Sequence, residues 1–240
     1  MNASGEPALT FSVLARCEQT GQFGMAIATR PIAIGAKCPF VRPHIGGLVV
    51  QANGDPRLGP LGLKLLEMGY SAAKVLKELE ESDGPDNIEW RQIMVIDKDG
   101  NTAARTGARN EEWRGHITKR NVVVSGNRLS NDRVAQAMMD GFEKAEGELA
   151  HKLVASLEAG RDAGGQVAGQ YSSALIVHHE RSYALVDLRV DENDEPIKEL
   201  RRLYGLYKPL IPYYLQRPSN PSMPRDDDWR KKLGIPGGPR

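Results

Sequence analysis

The chain has 240 residues, 40% of them hydrophobic and 26% charged, with a formal net charge of +1. That composition is globular and long enough to bury a core unaided, and its neutral balance gives no electrostatic case for nucleic acid or an anionic membrane. Two cysteines, no apolar run of membrane-spanning length and no basic-then-apolar leader exclude a disulfide framework, a Cys-rich zinc site, a spanning helix and a Sec signal, so a cytoplasmic protein is expected.

Read in chain order, LTFSVLAR over 9–16 and QFGMAIAT over 22–29 are two strand signals joined by a loop carrying Gly21. Two such runs across a short Gly-containing loop predict a β-hairpin. Hairpin register sets Thr10 opposite Ala28 or Thr29, so the open end gathers Thr10, Thr29 and Arg30. A Gly/Pro-rich passage leads to a third strand over 45–52. The segment NGDPRLGP then marks a turn and a helix start, and Leu58, Leu61, Leu65, Leu66 and Met68 recur at helical spacing. Gly69 ends that helix. Ser71 caps the next, whose apolar face is Ala72, Val75, Leu76 and Leu79.

The second half repeats this grammar. EWRQIMVIDKDGNTAART reads as a hairpin turning at Asp99-Gly100, and residues 119–125 as another strand. Asn131 or Asp132 caps a helix through Phe142, and a further helix over 149–157 closes at Gly160. Residues 171–178 and 182–190 form a last hairpin, and 195–206 a last helix. Hairpins grouped with helix pairs predict an α+β chain. Two antiparallel sheets, each covered by one helix pair, make a four-layer α-β-β-α sandwich; a single sheet with helices on one face is the alternative. The division expected is an extension over 1–9, a domain over 10–207 and a Pro-rich arm over 208–240. Leu210, Ile211, Tyr213, Tyr214, Leu215 and Trp229 are too apolar for a solvated linker, which predicts an ordered, extended arm between copies of a homo-oligomer.

No phosphate loop, dinucleotide fingerprint, HExxH or GxSxG is present. Adjacent strand residues point to opposite faces, so His178-His179-Glu180 reads as a polar turn, and no metal or cofactor is expected. Cys17 and Cys38 read as incidental thiols.

TFSVLARCEQTGQFGMAIATR resembles the opening of an uncharacterised, mostly bacterial family of hydrolases with an N-terminal-nucleophile (Ntn) hydrolase-like fold. The segments IGAKCPF, GGLVVQANGDPRLGPLGLKLLEMGYSA, RQIMVID, RTG, GH, SGN, GQYSSALIV and VDLRVDENDEPIKELRRL follow in the family's order, from Thr10 to Leu206. The resemblance implies cleavage of a C–N bond in a small amide-type substrate, as an amidohydrolase. In that class a first-residue threonine uses its own α-amine as base. Many relatives carry this threonine directly after the initiator Met, whereas nine residues, MNASGEPAL, precede Thr10 here. A hydrolytic deaminase needs no free N-terminus, and a ligand-binding or assembly protein on the same fold needs no nucleophile.

The candidate catalytic residues are Thr10 and His116, the latter a lone imidazole between strands suited to general acid–base work. The candidate substrate-binding residues are Thr29, Arg30, Gln51, Asn53, Arg91, Asn127 and Ser172. Arginine suits a carboxylate or oxyanion, and the amides and hydroxyls at strand ends suit a substrate carbonyl. All are expected to converge near Thr10.

Overall fold

The computed structural model describes residues 9–235, so all of the expected N-terminal extension except Leu9 lies outside the described residues. The chain divides after Leu200 into two compact units. Among the described residues the first holds ten strands, β1 Thr10–Arg16, β2 Phe23–Thr29, β3 Pro39–Arg42, β4 Gly46–Ala52, β5 Arg91–Asp97, β6 Thr102–Thr106, β7 Gly115–Lys119, β8 Val122–Asn127, β9 Ser172–His178 and β10 Val186–Val190. Two helix pairs belong to it, α1 Leu58–Glu67 with α2 Ala72–Asp83, and α3 Arg133–Lys144 with α4 Leu149–Asp162. The six-stranded sheet runs β10-β9-β2-β1-β8-β7 and the four-stranded sheet β3-β4-β5-β6. Every pairing is antiparallel.

Alternation along β1 decides what the two faces do. Leu14 joins Met25 and Ile27 of β2, Val49 of β4, and Met94 and Ile96 of β5 in one buried cluster between the sheets. Thr10 and Ser12 share that face, because side chains two apart point the same way. Phe11 and Val13 take the opposite face, where α4 lies against β1, β2 and β9. On the other sheet, Leu48, Val50, Ile93 and Val95 pack under Leu63, Leu66, Val75 and Leu79 of α1 and α2. Each fully buried side chain of this size contributes roughly 1.5–3 kcal/mol, so these two layers hold the sheets rigid beneath the site.

Local signals explain most boundaries. Ser71 accepts the Lys74 N–H at 3.4 Å to open α2. Gly100 (φ 82°) turns the β5–β6 hairpin, and Asp97 Oδ1 accepts the N–H groups of Asp99 and Asn101, both at 3.0 Å. Two strands escape the pattern. β3 is short and hidden in the Gly/Pro-rich passage, and β7, GHITK, has a mostly exposed surface with no apolar alternation. Gly160 does not close α4, which runs to Asp162. Its missing side chain makes room for Met138 instead, since a Cβ there would meet the Met138 side chain at 2.6 Å.

α5 Pro196–Tyr207 carries the chain into the second unit. The extended arm is not observed. Residues 208–219 form short helical turns, including α6 Ile211–Gln216, and α7 spans Asp226–Lys232. The physical reason is where the prolines stand. Pro209, Pro212 and Pro218 occupy first-turn positions, where a missing N–H breaks no helical bond. Within this unit Tyr213 packs its ring 5.2 Å from Tyr214 and 5.7 Å from Trp229, while Tyr207 and Tyr214 stack at 5.6 Å. Among the described residues no helix is long and apolar enough to cross a membrane.

Candidate functional site

The register of the six-stranded sheet builds the site. Thr10 opens β1 directly opposite Thr29 of β2 on one side and Asn127 of β8 on the other. Its backbone N–H donates to Asn127 Oδ1 at 3.2 Å, and its Oγ1 lies 3.0 Å from Thr29 Oγ1. Thr29 donates its one hydroxyl proton to the carbonyl of Leu9. Thr10 is therefore the donor in the threonine pair, which leaves lone pairs of its oxygen without a protein proton. The Leu9 carbonyl also accepts the Arg30 N–H at 3.4 Å. Two donors thus hold the oxygen of the peptide bond that precedes Thr10.

Thr10 and Thr29 line a cavity of about 410 Å³, a size suited to a small metabolite. One wall is Ala52, Asn53 and Gly54, at the end of β4 and just beyond it. Ala52 has φ 66°, a left-handed conformation that a residue with a Cβ adopts at a cost of about 1–3 kcal/mol. Arg91 holds that wall in place. It donates to the Asn53 carbonyl and forms a fork with Asp83 of α2, Nε to Oδ2 at 2.9 Å and Nη2 to Oδ1 at 3.3 Å. Lys37 and Cys38 line the cavity as well. Burial pushes the Cys38 thiol up to about 12, against a smaller opposing effect of the Lys37 charge, so it is a neutral wall and not a nucleophile.

Between the sheets lies a buried polar chain. Asn127 Nδ2 donates to Gln92 Oε1 at 2.9 Å, and Gln51 Nε2 donates to the same oxygen at 2.7 Å. Gln51 also donates to Ser125 Oγ at 3.1 Å and accepts from Ser12. Gln92 Nε2 donates to the Gly126 carbonyl and Thr106 Oγ1, both at 2.9 Å, and to the Gly115 carbonyl at 3.1 Å. Thr106 Oγ1 then meets His116 Nδ1 at 2.9 Å. A continuous set of hydrogen bonds therefore runs from the Thr10 nitrogen to the imidazole.

Of the residues expected to converge, the structure places Thr10, Thr29, Asn53 and Arg91 on the cavity, with Asn127 bonded to Thr10. Gln51 sits deeper, in the polar chain. Arg30 turns its guanidinium to the Ala168 carbonyl at 3.0 Å and to the Tyr171 ring; it enters the site through its backbone N–H. Ser172, opposite Thr29 in register, donates to the Pro31 carbonyl at 2.7 Å and accepts the Ile34 N–H at 3.3 Å. It ties down the loop that forms the cavity's far wall. His116 is not brought to Thr10. It lines a separate cavity of about 300 Å³ with Lys77, Glu80 and Thr118. Ser12, Gln92, Ser125 and Lys37 belong to the site or its support without having been singled out. For the first three the available signal was a polar residue at an inward position of an otherwise apolar strand.

His116 and His178 share one physical consequence. Burial lowers the affinity of each for a proton, partly offset at His178 by Asp187. The unfolded chain takes up these protons near pH 6.5, while the folded chain resists to lower pH. Stability is therefore full above about pH 6.5 and falls as the pH drops below it. Urea midpoints measured between pH 7.5 and 5 are expected to decline, and the double variant His116→Gln/His178→Gln to flatten part of that decline. An unchanged slope in the double variant would show that neither imidazole is the source.

A family model described as a family of unknown function, DUF1028, matches residues 10–200. A crystal structure of a protein from Silicibacter pomeroyi, assigned to the same family model, superposes with a TM-score of 0.76 at 30% sequence identity, covering 83% of this chain and 89% of the other. Anbu, described as an ancestral β-subunit, from Yersinia bercovieri, superposes with a TM-score of 0.38 at 13% identity, covering 90% and 98%. No curated protein matches.

Proposed function

The chain belongs to the DUF1028 family, and from that premise we propose that it is a hydrolase of a carbon–nitrogen bond in a small amide-type metabolite. We read its paired sheets and their helix layers as a four-layer α-β-β-α fold of the N-terminal-nucleophile type. The observation that carries the activity is the Thr10 hydroxyl on the cavity, with its proton directed to Thr29 and its nitrogen held by Asn127.

The proposed chemistry starts with loss of residues 1–9. While Leu9 is attached, the Thr10 nitrogen is an amide and cannot act as a base. Hydrolysis of the Leu9–Thr10 bond turns it into an α-amine of pKa about 7.7–8.0, held by Asn127. The same event frees the Thr29 hydroxyl and the Arg30 N–H from the Leu9 carbonyl. In the reaction, Thr10 Oγ attacks the substrate's acyl carbon while the amine, directly or through water, takes the hydroxyl proton. The freed donors stabilise the oxyanion. The amine returns the proton to the leaving nitrogen as the C–N bond breaks, and water then hydrolyses the Thr10 ester.

One observation favours a second reading. As the chain stands, the Thr10 nitrogen is a peptide amide and Leu9 is fully buried with both carbonyl contacts made. A hydrolytic deaminase acting on an enamine or imine would use the same cavity without a free amine. Intact-mass measurement of the purified protein separates the two. A mass lacking MNASGEPAL is expected, together with activity in a variant deleted for residues 2–9 that is at least equal to the parent. Full-length mass combined with no gain in the deletion variant would transfer the assignment to the deaminase.

A further inference from the structure

The charges on the Thr10 cavity do not balance. Two cations line it, Lys37 and Arg91, and among the described residues no carboxylate does. Arg91 is already matched by its two-point contact with Asp83, which is nearly inaccessible to solvent. Lys37 is different. It follows the single helical turn Ile34–Ala36, it is exposed, and among the described residues no carboxylate pairs with it. Its charge reaches the cavity wall, where it opposes the effect of burial on the Cys38 thiol.

We propose that this cavity selects substrates carrying a carboxylate, held by the Lys37 ammonium, in addition to the bond that is cleaved. The inference deepens the hydrolase reading and rests on it. Three features set the ligand class. The neighbouring lining is apolar, Pro31, Ile34, Val50 and Pro56, so an ion pair formed there is less screened than one on open surface. The ammonium stays hydrated while the cavity is empty, so the folded protein bears little cost for leaving it unpaired. One unmatched unit charge fits a carboxylate and leaves a phosphate dianion half-neutralised.

Calorimetric titration with N-acetylglycine and its neutral counterpart N-acetylglycinamide tests this without requiring turnover. The wild type is expected to bind the carboxylate about tenfold or more tightly than the amide, the scale of one hydrogen bond to a charged group. Lys37→Met should erase that preference and Lys37→Arg restore most of it. Equal binding of the two probes by the wild type overturns the proposal, as does an unchanged preference in Lys37→Met. Competition by inorganic phosphate stronger than by acetate at matched ionic strength also overturns the carboxylate assignment. The two readings fail separately. Preference without hydrolysis of any acyl p-nitroanilide leaves the anion site standing and removes the hydrolase. Hydrolysis with equal loss of kcat on charged and neutral p-nitroanilides in Lys37→Met makes Lys37 an aid to the nucleophile and removes the anion site.

Discussion

Thr10→Ala is expected to abolish turnover, by about 10³-fold or more in kcat, while the protein stays folded. The two effects separate because Thr10 contributes little to the core. Alanine loses the methyl together with the hydroxyl, and that hydroxyl makes one side-chain hydrogen bond, to Thr29. Removing the hydroxyl takes one donor from Thr29 Oγ1, which still donates to the Leu9 carbonyl, and the buried methyl is lost with it, so the cost is about 1–2 kcal/mol, small enough to leave the fold intact. The backbone N–H to Asn127 survives any substitution except proline. Thr10→Ser keeps the nucleophile and should retain measurable activity. Thr29→Val removes the acceptor that orients the Thr10 proton and should fall between the two. Rates on acyl p-nitroanilides, with urea midpoints on the same samples, check the set. Equal rates in the wild type and Thr10→Ala would remove Thr10 from the chemistry.

This core of the site was legible because a hairpin converts spacing into proximity. The short loop carrying Gly21 leaves little freedom in register, so Thr10 had to fall near Thr29, and it pairs with it directly. The outer helix faces were legible for the same kind of reason, since Val75 and Leu79 repeat at one helical turn and both are fully buried. What failed depended on distance in sequence. Gln51 and Gln92 are register partners in the four-stranded sheet, yet nothing local says that Gln51 also reaches Ser12 and Ser125 across the gap between sheets. Lys37 lies in a passage with no period to read, and what singles it out is that no carboxylate among the described residues pairs with it, which sequence cannot show. His116 was assigned by segment order alone. Its strand is an edge of the six-stranded sheet, two strands and four hydrogen bonds away from Thr10, so chain order carried no distance information.

Gln92 is expected to be the residue whose loss costs most stability. It is fully buried, and its amide group has five hydrogen-bond partners: the oxygen accepts from Gln51 and Asn127, and the two Nε2 protons are shared among Thr106, Gly115 and Gly126. In Gln92→Met the chain keeps a side chain of similar length without the polar atoms. Asn127 Nδ2 then loses its acceptor in a buried place, and the Gly126 carbonyl loses a donor. Gln51 Nε2 keeps Ser125 Oγ, which limits the damage there. An unsatisfied buried group costs about 1–3 kcal/mol, so two of them put the loss at roughly 2–6 kcal/mol. For a chain of this size each kcal/mol moves Tm by about 2–4 °C, so a fall of about 10 °C is expected by calorimetry. Gln92→Glu is the sharper comparison. It preserves shape and the acceptor but removes the donors, and as a carboxylate it is a buried charge beside two carbonyl oxygens. It should be the less stable of the two above neutral pH and recover as the pH falls, because acid returns one proton to donate. Activity should decline in both variants with the position of Asn127, which fixes the Thr10 nitrogen. A Tm within about 2 °C of the parent in Gln92→Met would mean less than about 1 kcal/mol from the whole network, and the polar chain between the sheets would not be what positions Thr10.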